Sequence, residues 1–215
     1  MKSLSINQVV EMIIYICSKL VEEEKYLTEI DKKIGDGDHG ITVKRGFGSL
    51  KRVLEKKQHF NSVNELFKLC GIEILKNMGG ASGVLFGTLF IGGLKYVEEV
   101  NYITLGFLSR FFRNSLQSII NRGRASRGDK TMIDALFPAV QALEKSSKKH
   151  EDIRIAIKNA ALEAKKGMES TKNMKAKFGR AKHYGERALG IPDPGAITVY
   201  LIFKHMSEWF SLIPE

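Results

Sequence analysis

Three aspartates separated by glycines form the stretch of this sequence best suited to chemistry. Asp31, Asp36 and Asp38 fall within eight residues, and no arginine stands inside the GDGDHG core of residues 35–40. Ionised carboxylates this close repel one another. A hard dication such as Mg²⁺ would gather them, because it prefers oxygen ligands and leaves room for phosphates. The stretch therefore predicts a magnesium site that also binds phosphate, and a solvated acidic turn is the simpler alternative.

Two other motifs match the same stretch only in part. GDGDHG has the glycine spacing of a dinucleotide fingerprint, but that fingerprint follows a strand, and residues 8–30 have helical periodicity instead. An EF-hand counted from Asp36 would need glycine at its sixth position and glutamate at its twelfth, where Ile41 and Phe47 stand. Both motifs are excluded.

Two glycine-rich segments further along the chain could bind an anion. Residues 79–83, GGASG, could offer backbone N–H groups and the Ser82 hydroxyl at the start of a helix, or could form a plain turn. Residues 179–195 are long, polar and rich in glycine and proline, which is typical of a functional loop. Within them Arg180 could contact a phosphate, whereas Asp193 is equally explained as a helix cap.

A third segment, residues 123–131, is a near match to a Walker A loop. Asp129 is inserted before Lys130, and the preceding residues are helix-periodic rather than a strand, so a phosphate-binding loop of that type is excluded. We predict instead that Asp129 caps the helix that follows, with Thr131 in its first turn.

Helical periodicity in the rest of the chain predicts the elements that position these loops. About eight helices are expected, with capping boxes at Ser5 and Ser62 and a proline start after Asp193. The fourth, sixth and seventh are expected over residues 84–97, 132–145 and 151–175. With no fixed repeat and no alternating β-branched run, the predicted fold is all-α, an antiparallel up-and-down bundle. Alternate loops would then meet at one end: residues 31–40, 79–83, 123–131 and 176–195.

Composition limits the remaining classes of protein. The 215 residues suit one domain, residues 1–215, and lack the roughly 20 consecutive apolar residues of a membrane span. Cys17 and Cys70 lie among helical apolar residues, which suggests a reducing cytoplasm. Of five histidines only His39 lies in a candidate site, and none has zinc-ligand spacing. The net charge of +10 fits nucleic acid, an acidic partner or a phosphorylated ligand, but its spread along helices favours a solvated basic surface.

Six ordered motifs resemble the nucleotide-binding L subunit of dihydroxyacetone kinases, also found as the C-terminal domain of fused kinases. They are the aspartate stretch, GGASG at 79–83, GDKTM at 128–132, GRA at 179–181, GER at 185–187 and DPG at 193–195. The resemblance covers nearly the full chain. It implies an eight-helix antiparallel barrel whose loops at one end bind ADP or ATP with two Mg²⁺ ions.

The same resemblance implies the residues of the site. The metal ligands would be Asp31, Asp36 and Asp38. The nucleotide contacts would come from all four loops: His39, Gly40, Ile41, Thr42, Ala81, Ser82, Gly123, Met132, Arg180, Asp193, Pro194 and Gly195. No residue of the chain is expected to act as an acid, base or nucleophile. Three departures from the family pattern, at Thr42, Lys182 and Ile191-Pro192, leave the details of the nucleotide pocket open.

The resemblance implies that the chain is a cytoplasmic phosphotransferase subunit in glycerol metabolism. Bound nucleotide would phosphorylate dihydroxyacetone held on a partner subunit, and a phosphohistidine protein fed from phosphoenolpyruvate would rephosphorylate the fixed ADP. Since the helical pattern uses the whole length, a separate acceptor subunit is expected, with no nucleic acid or membrane partner and a homodimer left open. Alternatives are a kinase subunit for a related ketose, polyol or fatty acid, a nucleotide-holding regulator of a transcription factor, and an RNA-binding helical domain.

Overall fold

The computed structural model describes residues 1–57 and 59–213 of the chain. Within these residues nine α-helices follow one another: α1 (Ile6–Glu22), α2 (Glu24–Ile34), α3 (His39–Lys56), α4 (Val63–Asn77), α5 (Gly80–Gly93), α6 (Leu105–Gly123), α7 (Met132–Lys148), α8 (Ile153–Ser170) and α9 (Pro194–Leu212). Two strands, β1 (Ser3–Ser5) and β2 (Tyr102–Thr104), and two 3₁₀ segments, Thr171–Asn173 and Arg180–Ala188, complete the list. The predicted all-α fold is confirmed.

Side-chain caps fix where several helices begin. Ser5 forms the predicted capping box with Gln8 at α1, and the Ser62 hydroxyl accepts the backbone N–H of Glu65 at α4. Asp193 accepts the N–H of Ala196 at 2.8 Å and is followed by Pro194, as predicted for α9. Each cap satisfies an N–H group that has no partner within the helix.

The predicted cap of α7 is wrong. Thr131, not Asp129, is its N-cap, and Thr131 forms a capping box with Asp134. The carboxylate of Asp129 points away from the helix: it accepts the backbone N–H of Ser126 at 2.7 Å and pairs with Lys177 at 2.7 Å. Asp129 lies three residues before Met132, the first helical residue, and therefore two residues too early for the capping position that Thr131 occupies.

Several predicted helix boundaries differ from the observed ones. The single helix expected before the aspartates is divided at Glu23 into α1 and α2, and neither glycine nor proline marks the break. The GGASG segment is already the first turn of α5, since left-handed φ angles at Gly79 and Gly80 change the chain direction before the helix. Pro138 lies inside α7, and α8 gives way to a 3₁₀ turn after Ser170.

The helices form a closed ring. From α3 to α9 each helix packs against the next in sequence, α1 packs against α3, and α9 packs back on α1. The α1–α2 pair acts as one broken member, so the ring has the eight-membered up-and-down arrangement expected. Its interior is filled by aromatic side chains, with ring centroids 4.6 Å apart for Phe67–Phe111 and 4.9 Å for Phe112–Phe203.

A short strand pair lies at the end of the ring where α1 and α6 begin. β1 and β2 pair antiparallel, with Leu4 opposite Ile103, and both side chains are fully buried. Three-residue strands are too short to show an alternating pattern, which is why the sequence did not indicate them. No helix in the described part of the chain has the length and apolar character needed to cross a bilayer.

Candidate functional site

The four loops predicted to meet do meet, at the end of the ring opposite the strand pair. They surround a cavity of about 650 Å³. The first residues of α3, α5, α7 and α9 all line this cavity: His39, Gly80, Met132 and Pro194. Helix N-termini carry partial positive charge and free N–H groups, so this end of the molecule attracts anions.

The three aspartates converge at one side of the cavity. One carboxylate oxygen each from Asp31, Asp36 and Asp38 lies within 4.8 Å of the others. Asp31, in the last turn of α2, is buried, and its Oδ2 accepts the backbone N–H of His39 at 3.1 Å. That bond draws the end of α2 to the start of α3 and bends residues 31–40, the aspartate loop, into a compact turn.

The electrostatics of the aspartate loop favour a bound cation. Burial raises the pKa of both Asp31 and Asp38, and the neighbouring Asp36 carboxylate raises it further. Arg180 pairs with Asp36, its Nη2 lying 2.7 Å from the Asp36 Oδ2. Three oxygen donors held this close suit Mg²⁺, whose charge would relieve the repulsion, so the residues present fit the metal that the family resemblance implies.

His39 is a buried, neutral connector. Burial lowers its pKa to about 4, so the ring is uncharged at neutral pH. The Thr198 hydroxyl lies 3.1 Å from the carbonyl of Pro194, to which it donates, and 2.8 Å from His39 Nε2. Nε2 therefore donates to Thr198, and Nδ1 is left to accept from the Ser82 hydroxyl at 3.4 Å. The ring thus ties α3 to α5 and α9, and it has no free nitrogen for acid–base chemistry.

Most of the predicted site residues line the cavity. All three predicted metal ligands do, as do ten of the twelve predicted nucleotide contacts: His39, Thr42, Ala81, Ser82, Gly123, Met132, Arg180, Asp193, Pro194 and Gly195. Their roles toward a nucleotide stay predictions.

Gly40 and Ile41 lie outside the cavity lining. His39 and Thr42 are three residues apart on α3 and share one face, which turns the two residues between them away. Ile41 is half exposed, while Gly40 is buried where α3 crosses α2. A Cβ atom on Gly40 would lie 2.1 Å from the carbonyl oxygen of Glu24. The glycine is therefore explained by close helix packing, without any ligand contact.

Twelve further lining residues were not among the predicted contacts. They include the apolar Leu85, Phe86 and Phe178 and the basic Arg122 and Lys130. The apolar side chains belong to no motif. Lys130 was named in the rejected Walker A match and in the GDKTM motif at residues 128–132, but in neither case as a residue of the site.

Asp193 lies in the cavity wall at the start of α9. Its backbone N–H donates to the Thr171 hydroxyl at 2.9 Å, and its carboxylate caps α9. Burial raises the pKa of Asp193 to about 7, and the nearby carboxylates of Asp134 and Asp31 raise it too. Helix capping is therefore a sufficient structural reason for an aspartate at position 193. Asp193 also lines the cavity, so part of the residue faces the space that a ligand would occupy.

A family model described as the DAK2 domain matches residues 33–208. The chain belongs to the DAK2 domain family. It is 36% identical over 207 residues to the PEP-dependent dihydroxyacetone kinase, ADP-binding subunit DhaL, of Escherichia coli (strain K12), covering 95% of this chain and 97% of that one. It is 37% identical over 190 residues to the PEP-dependent dihydroxyacetone kinase 1, ADP-binding subunit DhaL, of Listeria innocua, covering 88% and 89%. The resemblance to the L-subunit family is confirmed.

A solved dihydroxyacetone kinase contains the same fold. The crystal structure of the dihydroxyacetone kinase from C. freundii in complex with AMP-PNP and Mg²⁺ superposes with a TM-score of 0.73 at 29% sequence identity. The match covers 93% of this chain and 33% of the C. freundii chain. The DAK2 chain described here therefore spans about a third of that longer kinase.

Proposed function

We propose that the chain is the ADP-binding subunit of a phosphoenolpyruvate-dependent dihydroxyacetone kinase. One observation carries the proposal: three carboxylates converge in a cavity into which four helix N-termini also point. Carboxylates collect Mg²⁺ and helix N-termini collect phosphate, so one cavity offers both halves of a magnesium–nucleotide site. The E. coli and L. innocua relatives, matched over most of their lengths, are named as such subunits.

In this proposal Asp31, Asp36 and Asp38 would hold two Mg²⁺ ions beside the nucleotide phosphates. The bound Mg²⁺ would supply positive charge that offsets the charge developing during phosphoryl transfer. Two of the three predicted ligands are held in different ways. Asp31 is fixed by the His39 N–H, whereas Asp36 is held by Arg180 at the cavity mouth and can exchange that partner for a metal ion.

The protein's own contribution is positioning and electrostatics. Among residues 1–57 and 59–213 no side chain caps the N-terminus of α5, so its first N–H groups are available to a phosphate oxygen, and the Ser82 hydroxyl lies beside them. The Arg180 guanidinium group can donate two parallel hydrogen bonds to one phosphate group. No acid or base from this chain is required, in agreement with a neutral His39 whose two nitrogens are already engaged.

The apolar wall is proposed to bury the nucleotide base. Leu85 and Phe86 of α5 and Phe178 line the cavity together with Met132 of α7. Their apolar side chains would exclude water from the phosphate end, where a low dielectric strengthens every charge interaction. The three substitutions relative to the family pattern lie elsewhere: of Thr42, Lys182 and Ile191-Pro192, only Thr42 lines the cavity.

Two partners follow from the proposal. A dihydroxyacetone-binding subunit would present the acceptor hydroxyl at the cavity mouth, and a phosphohistidine protein fed from phosphoenolpyruvate would rephosphorylate ADP in place. The support for the first is that the names of the relatives assign ADP binding to one subunit of the kinase, which leaves the acceptor to another subunit. The support for the second is the phosphoenolpyruvate dependence printed in the same names.

A reconstitution tests this proposal. The purified chain is dialysed in Mg²⁺, denatured, and the released nucleotide is identified; ADP in near-stoichiometric amount is expected. The intact chain is then assayed with a dihydroxyacetone-binding subunit, with and without the phosphohistidine protein and phosphoenolpyruvate. Product should require all three proteins. Rapid turnover by the chain alone on free ATP would contradict the subunit assignment, and full activity with partner and ATP alone would contradict the fixed coenzyme.

A further inference from the structure

The chain between α8 and α9, residues 171–193, forms a strap along the cavity wall. It carries Arg180 and Asp193 to the cavity, yet it has little regular structure of its own. Its second 3₁₀ segment is interrupted at Gly185, whose φ of 54° and ψ of −124° are not helical. A segment of this kind needs contacts from outside to hold one conformation.

Lys130 supplies those contacts from the loop before α7. Its side chain is almost fully buried, and its Nζ donates to three backbone carbonyls: Thr171 at 2.7 Å, Ala188 at 2.9 Å and Ile191 at 2.6 Å. These carbonyls lie at the beginning and near the end of the strap. One ammonium group therefore gathers both ends of a segment of 23 residues, counted from 171 to 193.

The hydrogen-bond inventory of Lys130 leaves nothing for a ligand. An ammonium group has three N–H bonds and no acceptor, and all three are already directed at carbonyl oxygens. Although Lys130 lines the cavity, it cannot donate to a phosphate without releasing part of the strap. This distinguishes it from the lysine of a Walker A loop, which reaches the phosphates directly.

The backbone at Lys130 shows that the arrangement is imposed by its surroundings. Its φ of 59° lies in the left-handed region, which a lysine seldom adopts and keeps only when neighbouring contacts hold it there. The adjacent Asp129 fastens the strap as well, since its carbonyl accepts the N–H of Lys177 at 3.2 Å and its carboxylate pairs with the Lys177 ammonium.

We infer that Lys130 is a positioning residue that builds the nucleotide site by fixing the strap, and so holds Arg180 and Asp193 over the cavity. Its effect on phosphate binding passes through the strap rather than through contact with the ligand. The part of the inference that concerns nucleotide rests on the proposed function, whereas the part that concerns the strap does not.

Limited proteolysis without nucleotide tests the strap. The strap contains six trypsin sites: Lys172, Lys175, Lys177, Arg180, Lys182 and Arg187. Lys130→Met removes the donors at similar length, and Lys130→Arg keeps the charge but cannot aim a planar guanidinium at three converging carbonyls. Cleavage within the strap should be at least about tenfold faster in both variants, with the helices cut at the wild-type rate. Lys158→Met, an exposed lysine on α8, is the matched control. Unchanged strap cleavage in both variants would overturn the inference.

A double-mutant cycle tests how Lys130 acts on the ligand. Magnesium–ADP affinity is measured for Lys130→Met, Arg180→Ala and the pair. If Lys130 acts through the strap, its substitution should weaken binding about tenfold alone but less than about threefold when Arg180 is already absent. Multiplying effects would mean direct phosphate contact and would overturn the inference. If the wild-type chain bound no magnesium–ADP, the proposed function would fail while the proteolysis result still decided the role of Lys130.

Discussion

The aspartate loop and the strap bring charged groups to the same cavity but are built in different ways. In the aspartate loop, residues 31–40, the carboxylates lie within eight residues of each other and the Asp31–His39 bond closes the turn locally. The strap, residues 171–193, is held by Lys130, whose three carbonyl partners lie 41, 58 and 61 residues away. The first region is a property of a short sequence, and the second exists only in the folded ring.

The two regions meet at two contacts. Arg180 of the strap pairs with Asp36, and the Tyr184 hydroxyl donates to the carbonyl of Gly35 at 2.9 Å. Both contacts bridge from the strap to the turn that presents the metal ligands. The comparison therefore predicts that the aspartate loop binds the metal ions and that the strap closes the cavity over the nucleotide. Substitutions in one region or the other can separate these two roles.

The largest effect is expected from removing a metal ligand. Asp36→Ala or Asp38→Asn should weaken magnesium–ADP binding by about a hundredfold or more, because the remaining carboxylates cannot hold the ions against the phosphates. The ligand-free protein should be as stable as wild type or slightly more so, since burial and mutual repulsion already raise the pKa of Asp38. Calorimetric titration with magnesium–ADP measures the first expectation, and thermal unfolding measures the second.

A charge-matched control accompanies these variants. Glu29→Ala removes one carboxylate from the exposed face of α2, where Glu29 pairs only with Lys32 at the surface. Its magnesium–ADP affinity should equal that of wild type. Asp36→Ala that binds magnesium–ADP normally, or nucleotide binding by wild type that persists in EDTA, would contradict a metal role for the aspartate loop.

The next effect concerns the framework of the aspartate loop. Gly40→Ala places a Cβ 2.1 Å from the Glu24 carbonyl oxygen and 2.3 Å from the Thr28 hydroxyl, so α2 and α3 must move apart. We expect a loss of about 1–3 kcal/mol in stability and magnesium–ADP binding weakened about tenfold, or about 1.4 kcal/mol. Gly48→Ala on α3 meets only ordinary contacts, the nearest at 3.5 Å, and should be neutral or stabilising. Equal unfolding temperatures for the two variants would refute the packing role of Gly40.

The features that the sequence could predict are those set by local spacing, as in the aspartate loop, and the features that it could not predict are contacts between distant segments, as in the strap. The three aspartates, the caps at Ser5 and Ser62 and the meeting of four loops depend on short-range spacing and on the up-and-down order of helices, and all of these are found. The contacts of Lys130 could not be predicted, because its acceptors are backbone carbonyls, which every residue has whatever its type. Asp129 was misjudged for a related reason: its partner, Lys177, is brought near only by the strap.

Gly40 shows a second limit of sequence reasoning. A glycine beside a predicted metal loop is explained equally well by ligand contact and by helix packing, and only the position of Glu24 across the α2–α3 crossing decides between them. The break at Glu23 is a third case, since helical periodicity continues through it without a glycine or proline.

A smaller effect is expected from pH, through Asp193 at the end of the strap. Burial raises the pKa of Asp193 to about 7, above its usual 3.8. Between these values the folded state binds a proton that the unfolded state lacks, so this group makes the ligand-free protein less stable as pH rises toward 7. Buried His39, with a pKa lowered to about 4, acts in the opposite direction below pH 6.5.

Comparison of wild type with Asp193→Asn isolates this contribution. Asparagine keeps an oxygen that can cap α9, but it cannot ionise. The variant should exceed the unfolding temperature of wild type by less near pH 5 than near pH 8, with about 2–4 °C for each kcal/mol that the ionised carboxylate costs. A difference that stays constant from pH 5 to pH 8 would show that the carboxyl group does not titrate in this window.

The smallest effect is expected from the contact between the strap and the aspartate loop. Tyr184→Phe removes only the hydroxyl that donates to Gly35 and leaves the ring in place against Arg187, whose guanidinium lies 5.5 Å from the ring centre. The net contribution of one such hydrogen bond is about 0.5–1.5 kcal/mol. If the strap closes the cavity, this loss should appear as a magnesium–ADP dissociation rate about two- to fivefold faster, with association unchanged, because the metal ligands are intact.

Tyr96→Phe provides the reference for this variant, since Tyr96 is fully exposed after α5, at the far end of the ring. For each protein, stopped-flow mixing with a fluorescent ADP analogue gives the association rate, and displacement of the bound analogue by excess ADP gives the dissociation rate. Faster dissociation in Tyr184→Phe alone would place closure in the strap, separate from the chemistry of the loop. Slower association with unchanged dissociation would instead mean that the hydroxyl shapes the aspartate loop before ligand arrives, and the division between the two regions would have to be given up at this contact.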